Sequence, residues 1–333
     1  MKILVTGSTG FIGSRLVAKL ASGGHMVHAL YRSENKITPK QPANVIYCKG
    51  DIADEESLKK AIRGCDAVMH TAAFAGVWHR DERTIYHLNV DATRALLKLA
   101  AEAGVKRCVV TSSAAVFGPS ERSILSEDSP PPQHFFTPYE RSKALMEKEI
   151  IRLSNSGQDI VLVNPTRLYG PGPLNDANSV TRMIKMYCEG KWHFLPGNGE
   201  STGNYVFVDD VVRGHELALM KGLSGERYIL GGENLSYRDF FSLLDKLIAA
   251  HHRLIQFPLP LMLMASGAMV SFARITGISP MITPGLVRKY SHNWKLSCDK
   301  AKKMLDYSPV SLEEGLSATL KWLSDKPDDS RKN

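Results

Sequence analysis

From residue 1 to about 165 the chain alternates short β-branched or apolar runs with longer stretches whose apolar positions recur every three or four residues. Ile3 to Val5, Val27 to Leu30, Val45 to Tyr47, Ala67 to Met69, Arg107 to Thr111 and Ile160 to Val163 read as strands. None shows clean apolar–polar alternation, so burial on both faces is expected. The clearest helix runs from about Arg83 to Ala103, with Leu88, Ala92, Ala95, Leu96 and Leu99 at helical spacing and Gly104 as its stop. Strands alternating with helices need crossover connections, which predicts an α/β fold: a Rossmann-type, doubly wound parallel sheet.

Beyond residue 165 the pattern loosens. Gly170, Pro171, Gly172 and Pro173, then Gly197, Asn198 and Gly199, mark loops. Helices are expected near 179–189, 209–221, 236–250 and 312–323, with a short strand from Arg227 to Leu230. The organisation read from this is a nucleotide-binding domain over 1–165, rejoined by 206–232, and a smaller mixed substrate lobe over 166–205 and 233–323. The polar residues 324–333 read as a frayed tail. Phe257 to Ala273 is the most apolar stretch. It is shorter than the roughly 20 residues of a membrane span and is interrupted by Pro258, Pro260, Ser266, Gly267 and Ser271. It therefore reads as a buried or pocket-lining helix, with interfacial membrane contact as the alternative.

Composition adds bounds. Of 333 residues 43% are apolar and 23% charged, which excludes collagen-like, low-complexity and disordered classes. The net charge of +8 suits anionic ligands without demanding nucleic acid. Late cations (Arg288, Lys289, Lys295, Lys300, Lys302 and Lys303) read as a solvated helical face. The five cysteines are scattered, with no C-x-x-C, so neither a disulfide framework nor a metal site is expected, and a reducing cytoplasm is. The opening MKILVTGSTG is too soon broken by glycine for a signal peptide.

The segment from Val5 to Gly13 follows the first strand and opens the first helix. Gly7 permits a tight turn, Gly10 a close backbone approach, and Gly13 close helix–sheet packing, while the helix start offers N–H groups to a pyrophosphate. Its T-G-x-x-G-x-x-G spacing resembles the extended, or atypical, short-chain dehydrogenase/reductase family within the NAD(P)-dependent epimerase/dehydratase superfamily. The resemblance implies a nicotinamide dinucleotide held by Gly7, Thr9, Gly10, Phe11, Ile12 and Gly13. At the end of the second strand, where NAD-specific sites carry an acid, stands Arg32; a guanidinium suits the 2′-phosphate of NADP. Gly50-Asp51-Ile52 resembles the family's adenine-binding segment, with an ordinary helix N-cap as the other role for Asp51. His70-Thr71-Ala72-Ala73 matches a segment where Ala72 and Ala73 let backbone approach the cofactor, and His70 reads as a packed strand-end residue. Pro165 completes the implied cofactor set.

Thr137 to Lys143 starts a helix with Thr137 as N-cap, Pro138 in the first turn and Glu140 closing a capping box. Tyr139 and Lys143 are four apart and share a face; an ammonium beside a phenol would favour the phenolate and so make a general acid or base. The family's T-S-S-x-x-V-[YF]-G pattern places its catalytic hydroxyl at Ser113, with Ser112 next to it. Asn89 matches a further family position or serves the helix start. The resemblance thus implies Ser113, Tyr139 and Lys143 as the catalytic set.

Asn164 to Gly172 resembles the dihydroflavonol-reductase and 3β-hydroxysteroid-dehydrogenase branch. An NADPH-dependent reductase of a small-molecule ketone, aldehyde or sterol-like substrate is the first expectation. A nucleotide-sugar epimerase or dehydratase with tightly held NAD is the second, with Arg182, Lys185 or Lys191 offered to a pyrophosphate. An NADP-binding redox sensor is the third. Phe74, Val77, Trp78, His79, Phe117, Phe135, Phe136, Leu168 and Tyr169 are the pocket candidates. Members of this branch occur as monomers and as dimers, the latter usually through the helices near 83–103 and 138–154, so the resemblance allows a homodimer and leaves the choice open.

Overall fold

The computed structural model describes residues 1–34, 42–121 and 123–325. In chain order the first half contains β1 (Lys2–Thr6), α1 (Phe11–Ser22), β2 (Met26–Tyr31), β3 (Val45–Lys49), α2 (Glu55–Ile62), β4 (Ala67–His70), α3 (Arg83–Tyr86), α4 (Ala92–Glu102), β5 (Arg107–Thr111), α5 (Pro138–Asn155) and β6 (Ile160–Pro165). Then follow β7 (Arg167–Tyr169), α6 (Ser179–Cys188), β8 (Phe194–Pro196), β9 (Thr202–Phe207), α7 (Val208–Lys221), β10 (Arg227–Leu230), β11 (Glu233–Ser236) and α8 (Tyr237–Ile248). The chain closes with β12 (Ile255–Phe257), α9 (Leu259–Thr276), α10 (Pro284–Tyr290), α11 (Asp299–Leu305) and α12 (Leu312–Ser324). The expected tail from 326 onward lies outside the described residues, and Ser324 is the last residue of α12.

Seven parallel strands form the main sheet in the order β10-β6-β5-β4-β1-β2-β3. The chain reverses its direction of winding between β1 and β4, the point where doubly wound sheets open a ligand crevice at their carboxyl ends. Strand burial explains the absence of alternation in the sequence. Ile3 and Val5 enter one core with Leu16 and Leu20 of α1, whereas Leu4 enters another with Leu58 of α2 and Leu96 of α4. Both faces are therefore apolar.

The second lobe is built on a three-stranded sheet, β11-β9-β7, and a pair, β12-β8. Its core is aromatic, with Tyr169, Tyr187, Tyr205, Phe240 and Phe241 buried together. Phe240 stacks on Tyr205 at 4.5 Å between ring centroids. Asn204 stitches this sheet to the C-terminal segment, its Nδ2 donating to Gly232 O and Leu296 O, each at 3.2 Å.

Three expectations are corrected. The helix expected over 83–103 is broken by a π-helical turn at His87–Asp91, whose extra residue re-aims Asn89 into the interior. Phe257 ends β12, and from Leu259 the stretch forms an unbroken helix that is largely exposed and not buried. Pro258 caps α9 and Pro260 sits in its first turn, where no N–H acceptor is needed, so the prolines begin the helix; only Ser266 and Ala273 of α9 are buried. The late cations are not all solvated, because Lys289 pairs with Glu140 at 2.9 Å and Lys300 with Glu226 at 2.6 Å.

Removing the ring of the fully buried Phe240 leaves a cavity against Tyr205 and Phe241. Phe240→Ala is expected to cost about 3–5 kcal/mol in denaturant unfolding.

Candidate active site

The crevice starts at Gly7, whose φ of +68° is open to glycine and strained for other residues. A Cβ there would lie 2.8 Å from Ala72 N, and one on Gly13 would lie 2.0 Å from Gly7 O. The loops after β1 and β4 thus touch through bare backbone. Gly10 caps α1 without a side-chain hydrogen bond, and no acid stands in the first turn. The first N–H groups of a helix lack intrahelical acceptors, so this start is electropositive and suited to a phosphate. Thr9 and Ile12 are half-exposed around it. Phe11 is buried, its ring where a Cβ on Gly172 would fall 2.6 Å away. The loop is pinned to β2 by Ser8 Oγ, which donates to Leu30 O at 2.7 Å.

Arg32 follows β2 with a side chain 73% exposed, its Nη1 3.6 Å from Asp51 Oδ2. Asp51 does not cap a helix. Its Oδ1 accepts from Ala53 N at 3.0 Å in a tight turn, while Asp54 caps α2 by accepting from Glu56 N at 3.1 Å. Ile52 packs beside this turn against the core under the sheet. Ala72 N donates to Thr6 Oγ1 at 3.3 Å, and Ala73 follows, half-exposed. His70 is buried between Thr6 Oγ1 at 2.7 Å and Thr93 Oγ1 at 2.8 Å; burial lowers its pKa to about 3, so it is neutral.

Helix α5 begins with the complete capping box: Thr137 Oγ1 accepts from Glu140 N at 3.3 Å, and Glu140 Oε2 from Thr137 N at 3.3 Å. One residue inside it, Tyr139 is hydrogen-bonded to Ser113. Ser113 Oγ also accepts from Ala115 N at 3.2 Å. Ser112 turns the other way, toward the buried carboxyl of Glu147. Lys143 is buried and donates to Thr111 O at 2.9 Å.

The electrostatics differ from the sequence expectation. Burial pushes the Tyr139 phenol up to about 12, and its hydrogen bond to Ser113 only partly offsets this. Burial also lowers the Lys143 ammonium to about 8, against the opposing field of Glu147. The phenolate is therefore not favoured: Lys143 directs its charge at Thr111 O, and desolvation of Tyr139 wins.

Two residues, Glu147 and Arg167, were not singled out by sequence; Asn89 was, and the structure gives its contacts. Glu147 lies one turn beyond Lys143, accepts from Asn164 Nδ2 at 2.6 Å, and approaches Arg227 Nη1 at 3.4 Å. The Tyr-x-x-x-Lys-x-x-x-Glu spacing was the signal available for it. Asn89 Nδ2 donates to Ser142 Oγ at 2.9 Å and to Phe74 O at 3.2 Å, fixing the loop after β4 onto α5. Arg167 lies 5.2 to 5.6 Å from the rings of Tyr205, Tyr237 and Tyr290, a signal visible only after folding. Among the pocket candidates, Phe117 and Tyr169 are core residues. Phe136 joins His292 and Trp294 beside the start of α5, and Phe74 packs edge-on against His79.

A family model described as the NAD dependent epimerase/dehydratase family matches residues 3–231. The chain belongs to this family. It is an NAD(P)-dependent enzyme of the extended short-chain dehydrogenase/reductase type. It is similar to sterol demethylase protein B of Methylococcus capsulatus, at 29% identity covering 98% of this chain and 99% of that protein. It is also similar to 2-alkyl-3-oxoalkanoate reductase of Stenotrophomonas maltophilia, at 29% identity covering 95% and 97%. The crystal structure of UDP-glucose 4-epimerase from Thermotoga maritima, solved with UDP-glucose, matches with a TM-score of 0.80 at 25% identity, covering 97% and 99%.

The dinucleotide of this family fits the residues present, since the glycine cradle of the enzyme would be filled by any Cβ and its helix start is uncapped. Gly7, Thr9, Gly10, Phe11, Ile12 and Gly13 would hold its phosphates.

Lys143 yields a stability prediction. Its folded pKa is depressed from 10.5 to about 8, so the charged form opposes folding. That penalty is full below pH 8 and fades as pH rises to 10.5, where the unfolded chain also loses the proton. Lys143→Met should stabilise the cofactor-free enzyme by about 1–3 kcal/mol at pH 7 in urea unfolding, with the gain shrinking toward pH 10.5.

Proposed function

We propose that the enzyme is an NADPH-dependent reductase of a ketone, aldehyde or sterol-like carbonyl, with Tyr139 as the proton donor. The observation that carries this reading is the convergence of Tyr139, Ser113 and Lys143: the phenol is hydrogen-bonded to Ser113 and stands one turn before Lys143 on α5. The phenol carries the proton at neutral pH, the form a proton donor to a reduced carbonyl oxygen needs. Ser113, bonded to the same phenol, orients the substrate oxygen and stabilises that charge. Lys143 would hold the cofactor ribose hydroxyls from the helix it shares with Tyr139, with Glu147 one turn behind it. The nicotinamide supplies the hydride when bound.

The preference for NADPH rests on Arg32, whose guanidinium is exposed at the end of β2 where an acid would select NAD. Asp51, held by Ala53 N, Ile52 behind it, and Ala72, Ala73 and Pro165 along the strand ends complete the cofactor set. The nucleotide-sugar alternative gains no support from its cations. Arg182 is paired with Asp176 at 3.5 Å, and Lys185 and Lys191 both with Glu189. Five free thiols are in keeping with work in the reducing cytoplasm.

The test is absorbance loss with NADPH or NADH against ketones, sterols and nucleotide sugars. Oxidation of NADPH by an apolar ketone or sterol is expected. Tyr139→Phe should lower kcat by about 10²–10⁴-fold while NADPH affinity changes less than about twofold. Near-normal turnover in that variant overturns the assignment, and a strong preference for NADH overturns the role of Arg32.

A further inference from the structure

Helix α9 departs from the rule that a surface helix turns its polar face outward. It spans 18 residues from Leu259 to Thr276, with Arg274 as its sole charged residue. Ser266 and Ala273, seven residues apart, mark the one face packed against the protein. The opposite face is equally apolar and lies in solvent: Leu261 is 46% exposed, Met264 69%, Phe272 57% and Ile275 83%. Ile278 and Met281, just beyond the Gly277 stop, extend the patch at 64% and 75%. A contiguous apolar surface of this kind marks an interaction site rather than a solvent boundary.

Charge identifies the occupant. From Leu247 to Cys298 the chain contains no aspartate or glutamate. The same stretch carries Arg253, Arg274 and Arg288, all exposed. None of the three has an ion-pair partner among the described residues. Elsewhere on this surface ion pairs are common, whereas the segment that carries the apolar face brings cations and no acid to it. Protein surfaces that meet other proteins usually mix signs, whereas an apolar face on a basic, acid-free segment matches an anionic lipid headgroup layer over hydrocarbon.

The geometry also decides how such contact is made. Just before α9, β12 is fixed to β8 by parallel pairing from Ile255–Phe194 to Phe257–Pro196, and after it α10 packs back against α9. Both ends are anchored to the lobe, so α9 can lie along a membrane surface but cannot cross it without unpacking Ser266 and Ala273. The surface is also connected to the active site. Gly285 of α10 sits where a Cβ would fall 2.4 Å from Phe136 O, and Lys289 of α10 pairs with Glu140 in the cap of α5.

We propose that α9 and residues 278–281 dock the enzyme on an anionic phospholipid bilayer. The side chains of Met264, Phe272, Ile275 and Met281 lie below the headgroups, and Arg253, Arg274 and Arg288 meet lipid phosphates. The proposal is independent of which carbonyl the enzyme reduces.

The test is co-sedimentation of the full chain with sucrose-loaded vesicles of phosphatidylcholine alone or with about one-third phosphatidylglycerol. At least a tenfold stronger partition onto the anionic vesicles is expected, falling steeply with added salt. Met264→Glu/Ile275→Glu should lose at least tenfold, and Arg274→Glu/Arg288→Glu should lose the preference for anionic lipid. Because both pairs alter the surface, Phe272→Trp provides a conservative second reading: the emission it adds should shift blue on anionic vesicles and be quenched by brominated acyl chains. Wild-type protein that stays in the supernatant with both vesicles, or added emission in Phe272→Trp that is blind to lipid, overturns the proposal. So does a lipid-free dimer in sedimentation velocity that Met264→Glu/Ile275→Glu dissociates, since a second copy would then cover the face.

Discussion

The buried carboxylate of Glu140 joins the two lobes beside Tyr139. One oxygen accepts from the backbone N–H groups of Phe136, at 2.8 Å, and Thr137, and so starts α5 in register; the other pairs with Lys289 of α10. A buried ion pair adds little net stability over apolar packing, but breaking it by removing one partner is costly because the remaining charge is stranded. Glu140 follows Tyr139 directly in sequence. The same group that fixes the helix start therefore fixes where the phenol stands relative to Ser113 and ties α10 to that start.

Burial then sets the chemistry. Tyr139 and Lys143 lie on one face of α5, and desolvation moves both toward their neutral forms: the phenol upward and the ammonium downward. The same constraint acts one layer deeper, where the Glu147 carboxyl is raised by burial and held by Asn164 and Arg227. Arg227 lies over the Phe117 ring at 5.0 Å, and its Nη2 donates to Glu127 O at 2.5 Å. This polar layer ties β10, the seventh strand, to the helix that carries Tyr139. These are buried polar groups that a purely stable fold would replace with apolar ones.

Much of this was legible in the sequence because it depends on local rules. The six strands of the first half, the glycine turn at Gly7 and the Thr137–Glu140 capping box each follow from neighbouring residues, and each has its counterpart in the structure. What was not legible depends on residues distant in the chain. The π-helical turn at His87–Asp91 exists because Asn89 must reach Phe74 and Ser142, and no periodicity within 83–103 announces that. Asp51 and Asp54 are interchangeable as caps on paper, and only the path of the chain gives the cap to Asp54. The sign of the Tyr139 shift required knowing that Lys143 bonds Thr111 O. A stretch as apolar as 259–276, with apolar residues on every face, carries little directional signal, so its exposure had to come from the structure.

The account's central claim is that Tyr139, hydrogen-bonded to Ser113, is a phenol in the free enzyme with its pKa raised by burial. Its most direct test is a pH titration of the free enzyme with ¹³Cζ-labelled tyrosine, the Tyr139 resonance being assigned with Tyr139→Phe. The account predicts a resonance that stays at its phenol position through pH 10, with a midpoint near 12. A midpoint below the ordinary tyrosine value, or a phenolate already present at neutral pH, would contradict it.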